Sequence, residues 1–180
     1  MRMKFFIGTI ILSFVFLIAR SQLVPTDNES RVHFVIKNFG IKTGGDLTGL
    51  KGTIKFDPNN PTASSFDVTV DASTIDTDNN TRDGHLKKED YFDVNKFPVI
   101  KMVSTNILRT NKPGRYQFNG NLTIKSTTKS VQFFFNVTAT NGGYLFSGDD
   151  FKINRRDFGV GGNSVSLSDD LKVSLRVMAK

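Results

Sequence analysis

Residues 81–100 read Thr81-Arg82-Asp83-Gly84-His85-Leu86-Lys87-Lys88-Glu89-Asp90-Tyr91-Phe92-Asp93-Val94-Asn95-Lys96-Phe97-Pro98-Val99-Ile100. Beyond the N-terminal leader, this is the one stretch that interrupts a long series of alternating strands, and it holds one of the two histidines. Asn79 and Asn80 can cap a helix, and Asp83 falls in its first turn, where a negative charge suits the helix dipole. The loose spacing of Leu86, Asp90 and Tyr91 predicts one short helix that breaks into a second turn. Tyr91, Phe92 and Phe97 supply an aromatic underside, and Pro98 returns the chain to strand. A capped helical insert with a greasy lower face, set between strands, predicts the lid of a barrel.

On either side of that insert the period is two. Val32, Phe34 and Ile36 share a face, with His33 and Lys37 on the other, and His33 is expected to be exposed. Phe39-Gly40 and Gly44-Gly45 read as a turn region, and residues 22–30 as a loose lead-in. Leu50, Gly52, Ile54 and Phe56 alternate with polar residues up to the turn at Asp57-Pro58. Phe66, Val68 and Val70 follow, then the insert, then a longer strand from Val99 to Leu108. Tyr116, Phe118, Gly120, Leu122 and Ile124 line one face, and Val131, Phe133, Phe135 and Val137 line the next. Residues 144–154 change phase near Gly148, which predicts a bulge. Leu171, Val173, Leu175 and Val177 close the series. About eight strands result, each with one apolar face. A filled sandwich and a closed barrel both satisfy that pattern. The lid, placed between the third and fourth strands, favours an all-β, mainly antiparallel, eight-stranded barrel, which is wide enough for one small ligand.

At 180 residues the chain is one domain's worth, rich in phenylalanine and without cysteine or tryptophan. The missing cysteines exclude disulfides, thiolate metal sites and a catalytic thiol. Met1 to Lys4 is basic, Phe5 to Ala19 is apolar, and Ala19-Arg20-Ser21 offers a small-x-small cleavage pattern. Residues 1–21 are therefore read as a signal peptide and residues 22–180 as the mature domain, periplasmic or secreted after cleavage near Ser21. Removing Arg2, Lys4 and Arg20 lowers the 24 basic residues to 21 against 17 acidic ones, a charge of about +4. Those charges are scattered among acids rather than gathered in a stripe, so no nucleic-acid partner is expected.

Several blocks resemble the YceI-like family of lipocalin-like, polyisoprenoid-binding exported proteins. Residues 66–77 are similar to its third strand and the approach to its helix. Arg82-Asp83-Gly84-His85-Leu86 matches an Arg-Asp-x-His-Leu signature, with Tyr91-Phe92-Asp93-Val94 and Phe97-Pro98 after it. Gly120-Asn121-Leu122-Thr123-Ile124 and Ile153-Asn154-Arg155-Arg156-Asp157-Phe158-Gly159-Val160 match two later blocks in the same order. Asn38 departs from the pattern, standing where the family tends to carry a histidine. The resemblance implies a lipocalin-like barrel whose internal tunnel takes an isoprenoid or similar long-chain lipid, with no other cofactor. Sheltering about 20 carbons at roughly 0.8 kcal/mol per methylene gives a gross term near 16 kcal/mol. Ordering the tail and losing translational freedom consume much of that, and what is left suffices for carriage without covalent chemistry.

By alternation the pocket is assigned to Phe34 and Ile36, Ile54 and Phe56, Val68 and Val70, and Phe118 and Leu122. Phe133, Phe135 and Val137 join them, with Tyr91 and Phe92 beneath the lid. Arg82, Asp83, His85 and Arg156 are the polar candidates. An enzyme acting on a lipid-like substrate, with Asp83, His85 and Arg156 as its polar groups, is the alternative. For Asp83 beside His85 a helix-end hydrogen bond that holds the lid is favoured over an acid–base pair, so no catalytic residue is assigned. Two histidines without cysteine do not make a zinc set, and neither Asp149-Asp150 nor Asp169-Asp170 has the spacing of a calcium loop. The expected partner is a hydrophobic small molecule, with transient membrane contact and a homodimer as further expectations.

Overall fold

The computed structural model describes residues 22–180; the signal segment read at residues 1–21 lies outside the described residues. Eleven strands form one antiparallel sheet: β1 Gln22–Leu23, β2 Arg31–Asn38, β3 Ile41–Leu47, β4 Lys51–Lys55, β5 Ser65–Asp71, β6 Val99–Arg109, β7 Arg115–Ile124, β8 Thr127–Thr140, β9 Gly143–Gly148, β10 Phe151–Asn154 and β11 Leu167–Ala179. Their order is β1-β4-β5-β6-β7-β8-β9-β11-β2-β3, with β10 paired to β11 beside that path.

The sheet curls back on itself through residues 22–26. Leu23 pairs with Ile54 of β4 on one side. On the other side Val24 and Lys180 exchange two backbone hydrogen bonds, and the Thr26 amide donates to the Met178 carbonyl at 2.8 Å. Around that end the ring consists of β1, β4, β5, β6, β7, β8, β9 and β11; it is eight-membered, but it includes β1, read as lead-in, and leaves out β2, read as the first strand. The lead-in read as loose is thus the segment that joins the two edges.

The three extra strands come from places where composition hides pairing. Only Phe39-Gly40 forms the first turn; Gly44 and Gly45 sit inside β3, paired with Val35 and Phe34. A Cβ on Gly45 would lie 2.6 Å from the Phe34 ring, so glycine here allows close approach and does not mark a turn. The phase change near Gly148 is a break between β9 and β10, across Asp149 and Asp150.

The insert folds as read. α1, Asn80–Leu86, is capped by Asn79, whose side chain accepts from the Arg82 amide at 2.9 Å. A run of turns carries the chain through Tyr91 and Phe92 to Phe97, whose amide donates to the Asp93 carbonyl. Between β5 and β6, this segment covers one mouth of the curled sheet.

Candidate functional site

Inward-facing side chains meet two different environments. On the β7–β8 wall they interlock. Phe118 stacks on Phe133 at 4.8 Å, Phe133 stacks on Phe151 at 4.6 Å, and Tyr116 stacks on Phe135 at 5.6 Å. Phe66 and Phe56 add edge-to-face contacts to Phe146 at 5.3 Å. Each such pair contributes about 0.5–1.5 kcal/mol beyond the burial of its area.

The β2–β11 wall encloses a cavity of about 620 Å³, inside the usual range for small-molecule sites. Its lining follows β11 from Leu167 to Val177, about 33 Å of strand, which makes it elongated. Val32, Phe34 and Ile36 face it from β2, Val68 and Val70 from β5, and Ile100 and Met102 from β6. Leu86, Tyr91 and Phe92 close it from the lid side. Phe151 belongs to both environments, lining the cavity while stacked on Phe133.

Of the residues assigned by alternation, Phe34, Ile36, Val68, Val70, Leu122, Tyr91 and Phe92 line this cavity. Ile54, Phe118, Phe133 and Phe135 do not; they are buried in the aromatic core, with Phe56 and Val137 packed against it. They point inward as read, but rings from neighbouring strands fill the space in front of them.

The polar candidates separate as well. Asp83 is buried and turned away from the cavity. Its Oδ1 accepts from the Thr77 amide at 3.0 Å and from the Thr77 hydroxyl. Thr77 Oγ1 in turn accepts from Arg82 Nε at 2.7 Å, and the Thr77 carbonyl accepts from Arg82 Nη2. The Arg-Asp pair therefore fastens α1 to the strand-like segment before it. Arg82 and His85 line the cavity rim. Asp83 and His85, two residues apart on a helix, point in different directions, so the acid–base pairing is not assembled.

Arg156 does not line the cavity; its side chain is 50% exposed and lies 3.6 Å from Asp169. Arg155 is the buried member, with a side chain only 4% exposed, and it lines the cavity. Its guanidinium donates to the carbonyls of Val160, Gly162 and Ser168 at 3.0 Å and to Asp169 Oδ1 at 2.8 Å. One side chain thus staples the loop after Val160 to the start of β11.

Opposite that loop, Asn38 also lines the cavity, and its buried Oδ1 has no hydrogen-bond partner. An orphaned acceptor of this kind costs about 1–3 kcal/mol unless a donor reaches it. Below it, Asp46 accepts from Arg31 Nε at 2.8 Å and lies 2.9 Å from His33 Nδ1. The Arg31 hydrogen bond holds the Asp46 carboxyl below the usual carboxylate range, against a smaller opposing effect of burial. His33, expected to be exposed, is partly covered: it is held by Asp46 and leans on Gly44. Asp46 also exchanges two backbone hydrogen bonds with Asp76, tying β3 to the segment that leads into the lid.

A family profile described as the YceI-like domain matches residues 24–179. The chain belongs to the YceI-like family. Among YceI-like relatives, it is 33% identical over 101 residues to Protein YceI of Salmonella arizonae, covering 56% of this chain and 52% of that one. A UPF0312 protein of Pectobacterium atrosepticum is 32% identical over 102 residues, covering 56% and 52% of the two chains. These matches thus span about half the length of the curated relatives. The Campylobacter jejuni YCEI protein superposes with a TM-score of 0.66 at 26% identity, over 74% of this chain and 82% of that one. Burkholderia cenocepacia BcnA shares the YceI-like fold with a TM-score of 0.79 at 24% identity, over 85% and 98% of the chains. A polyisoprenoid binding domain from Saccharophagus degradans does so at 0.71 and 13%, over 88% and 97%. Among the described residues, no helix is long and apolar enough to cross a membrane.

Proposed function

We propose that this protein is an exported carrier that holds an isoprenoid or similar amphiphilic lipid in its elongated cavity, for transport or storage. The observation that carries this reading is the cavity itself: about 620 Å³, lined along β11 by aliphatic side chains and covered by a lid with an aromatic underside. A single-file hydrocarbon tail suits that shape, whereas a compact polar substrate would leave most of the lining unsolvated. The likeness in fold to a polyisoprenoid binding domain supports the same ligand class. Carriage is favoured over catalysis because Asp83 is committed to Thr77, leaving His85 without that carboxylate.

Asn38, Arg82 and His85 are polar members of the lining, beside which the polar end of an amphiphile would lie. The open acceptor on Asn38 suits a head group that offers a hydroxyl. Native mass spectrometry of the purified protein, followed by organic extraction, tests the reading. A prenyl or quinone species recovered one-to-one is the expected outcome. Protein that yields nothing, even after incubation with such lipids, refutes it. Sizing of the same sample determines whether the carrier is a monomer or a homodimer.

A further inference from the structure

The turn between β2 and β3 presents residues that a water-facing turn would not use. Phe39 adopts φ 49° and Gly40 φ 77°, the pair of left-handed positions that tight hairpins assign to asparagine and glycine. A phenylalanine there is strained, and its side chain gains no packing in return, being 79% exposed. Ile41 beside it is 71% exposed, and Val165 is fully exposed. The Phe39 amide donates to the Ser166 carbonyl at 2.8 Å, so the three apolar side chains come from adjoining loops.

Lysines flank the apolar tip. Lys37 and Lys42 face each other in register across β2 and β3, both exposed, and neither has an ion-pair partner among the described residues. Like charges directly opposite destabilise a hairpin unless an anion lies between or beneath them. Asn38, Thr43, Ser164 and Ser166, interleaved with these residues, line the cavity. The tip is therefore the rim of the mouth.

We propose that the β2–β3 tip and residues 164–166 dock on an anionic lipid bilayer, Phe39, Ile41 and Val165 entering the interface while Lys37 and Lys42 engage lipid head groups. Aromatic and aliphatic side chains between lysines are the composition that binds such surfaces reversibly. Docked in this way, the mouth opens onto the acyl region, and a tail passes between bilayer and cavity without crossing water. That use of the contact rests on the carrier reading; the contact itself rests on the tip.

The chain has no tryptophan, so Phe39→Trp places a single reporter at the tip. On phosphatidylglycerol vesicles at low salt its emission is expected to shift to the blue and to be quenched by brominated acyl chains, and added salt should reverse both. Val24→Trp, at the opposite end of β11, should show neither. Phe39→Ser with Ile41→Ser should lower the vesicle-bound fraction about tenfold, and Lys37→Ser with Lys42→Ser by a similar factor. Thermal unfolding should not fall in these variants, and uptake of a hydrophobic dye from solution should stay unchanged. No shift on phosphatidylglycerol, or an equal shift for Val24→Trp, overturns the proposal. So does a shift that grows with protein concentration in the absence of vesicles, which assigns the tip to a second copy of this chain. Vesicle binding that persists in protein unable to take up dye upholds the docking and counts against the carrier reading alone.

Discussion

Phe118, Phe133 and Phe135 on the β7–β8 wall point inward at the same period as Ile36, Val173 and Leu175 on the β2–β11 wall, yet the first set meets rings and the second meets open space. The two walls are built from the same pleat and pair in the same antiparallel manner. What separates them is side-chain volume. Aromatic rings from facing strands reach one another across the interior, whereas branched aliphatic residues stop short. Phe34 is the one phenylalanine that β2 brings to the cavity, and Gly45 on the neighbouring strand lets its ring lie back. Alternation therefore decides which way a residue faces, and volume decides whether anything is there to meet it.

The largest expected contrast is in stability. Phe135→Ala should cost about 3–5 kcal/mol in denaturant unfolding, because it leaves a void among fixed rings. Leu175→Ala should cost about 1 kcal/mol or less, since that side chain already lacks partner atoms on its cavity side. Equal losses would mean that the two walls are packed alike. Gly45→Ala comes next, at about 1–3 kcal/mol, because its methyl drives the Phe34 ring forward. A crystal structure of that variant should show the ring inside the cavity. Val173→Phe fills the hollow wall directly. Unfolding should change little, while uptake of a hydrophobic dye falls about tenfold or more.

The smallest contrast is in acid. The Asp46 carboxyl titrates below its ordinary value chiefly because Arg31 donates to it, so the stability it contributes is present above the unfolded value of about 3.9 and is lost as the pH falls through the folded one. Asp46 is partly exposed, so solvent weakens the effect. It should appear as faster amide exchange at Asp46 and Asp76 below about pH 4, with the β7–β8 amides unchanged. Asp46→Asn should remove that part of the pH dependence.

How far the sequence could be read follows from the same division. β4, β5, β7 and β8 were legible through their alternation, and so was β11 from Leu171 onward, past the irregularity in its pairing with β2. β3 was not, since glycine pairs look alike whether they make a turn or make room for a ring. The lid was legible through Asn79 and the aromatic run that follows it. The cavity lining was only half legible: Phe34 and Phe118 carry the same local signal, and their fates depend on what the neighbouring and facing strands present to them, Gly45 to the one and Phe66 and Phe133 to the other. Arg155 and Arg156 are identical neighbours. Only the 3-10 turn after Asn154 decides which one is buried, and no periodic pattern encodes it.

The segment that joins the two edges of the sheet has a consequence for biogenesis. Val24 and Thr26 are among the first residues of the domain to be synthesised, but their partners, Met178 and Lys180, come last. Until they arrive, the inner edge of β1 has nothing to bind and the greasy interior stands open along its length. During synthesis that gap persists until the last strand of the domain is complete. The barrel therefore shuts late, after the long-range pairing of its two ends has overcome its loop-closure entropy.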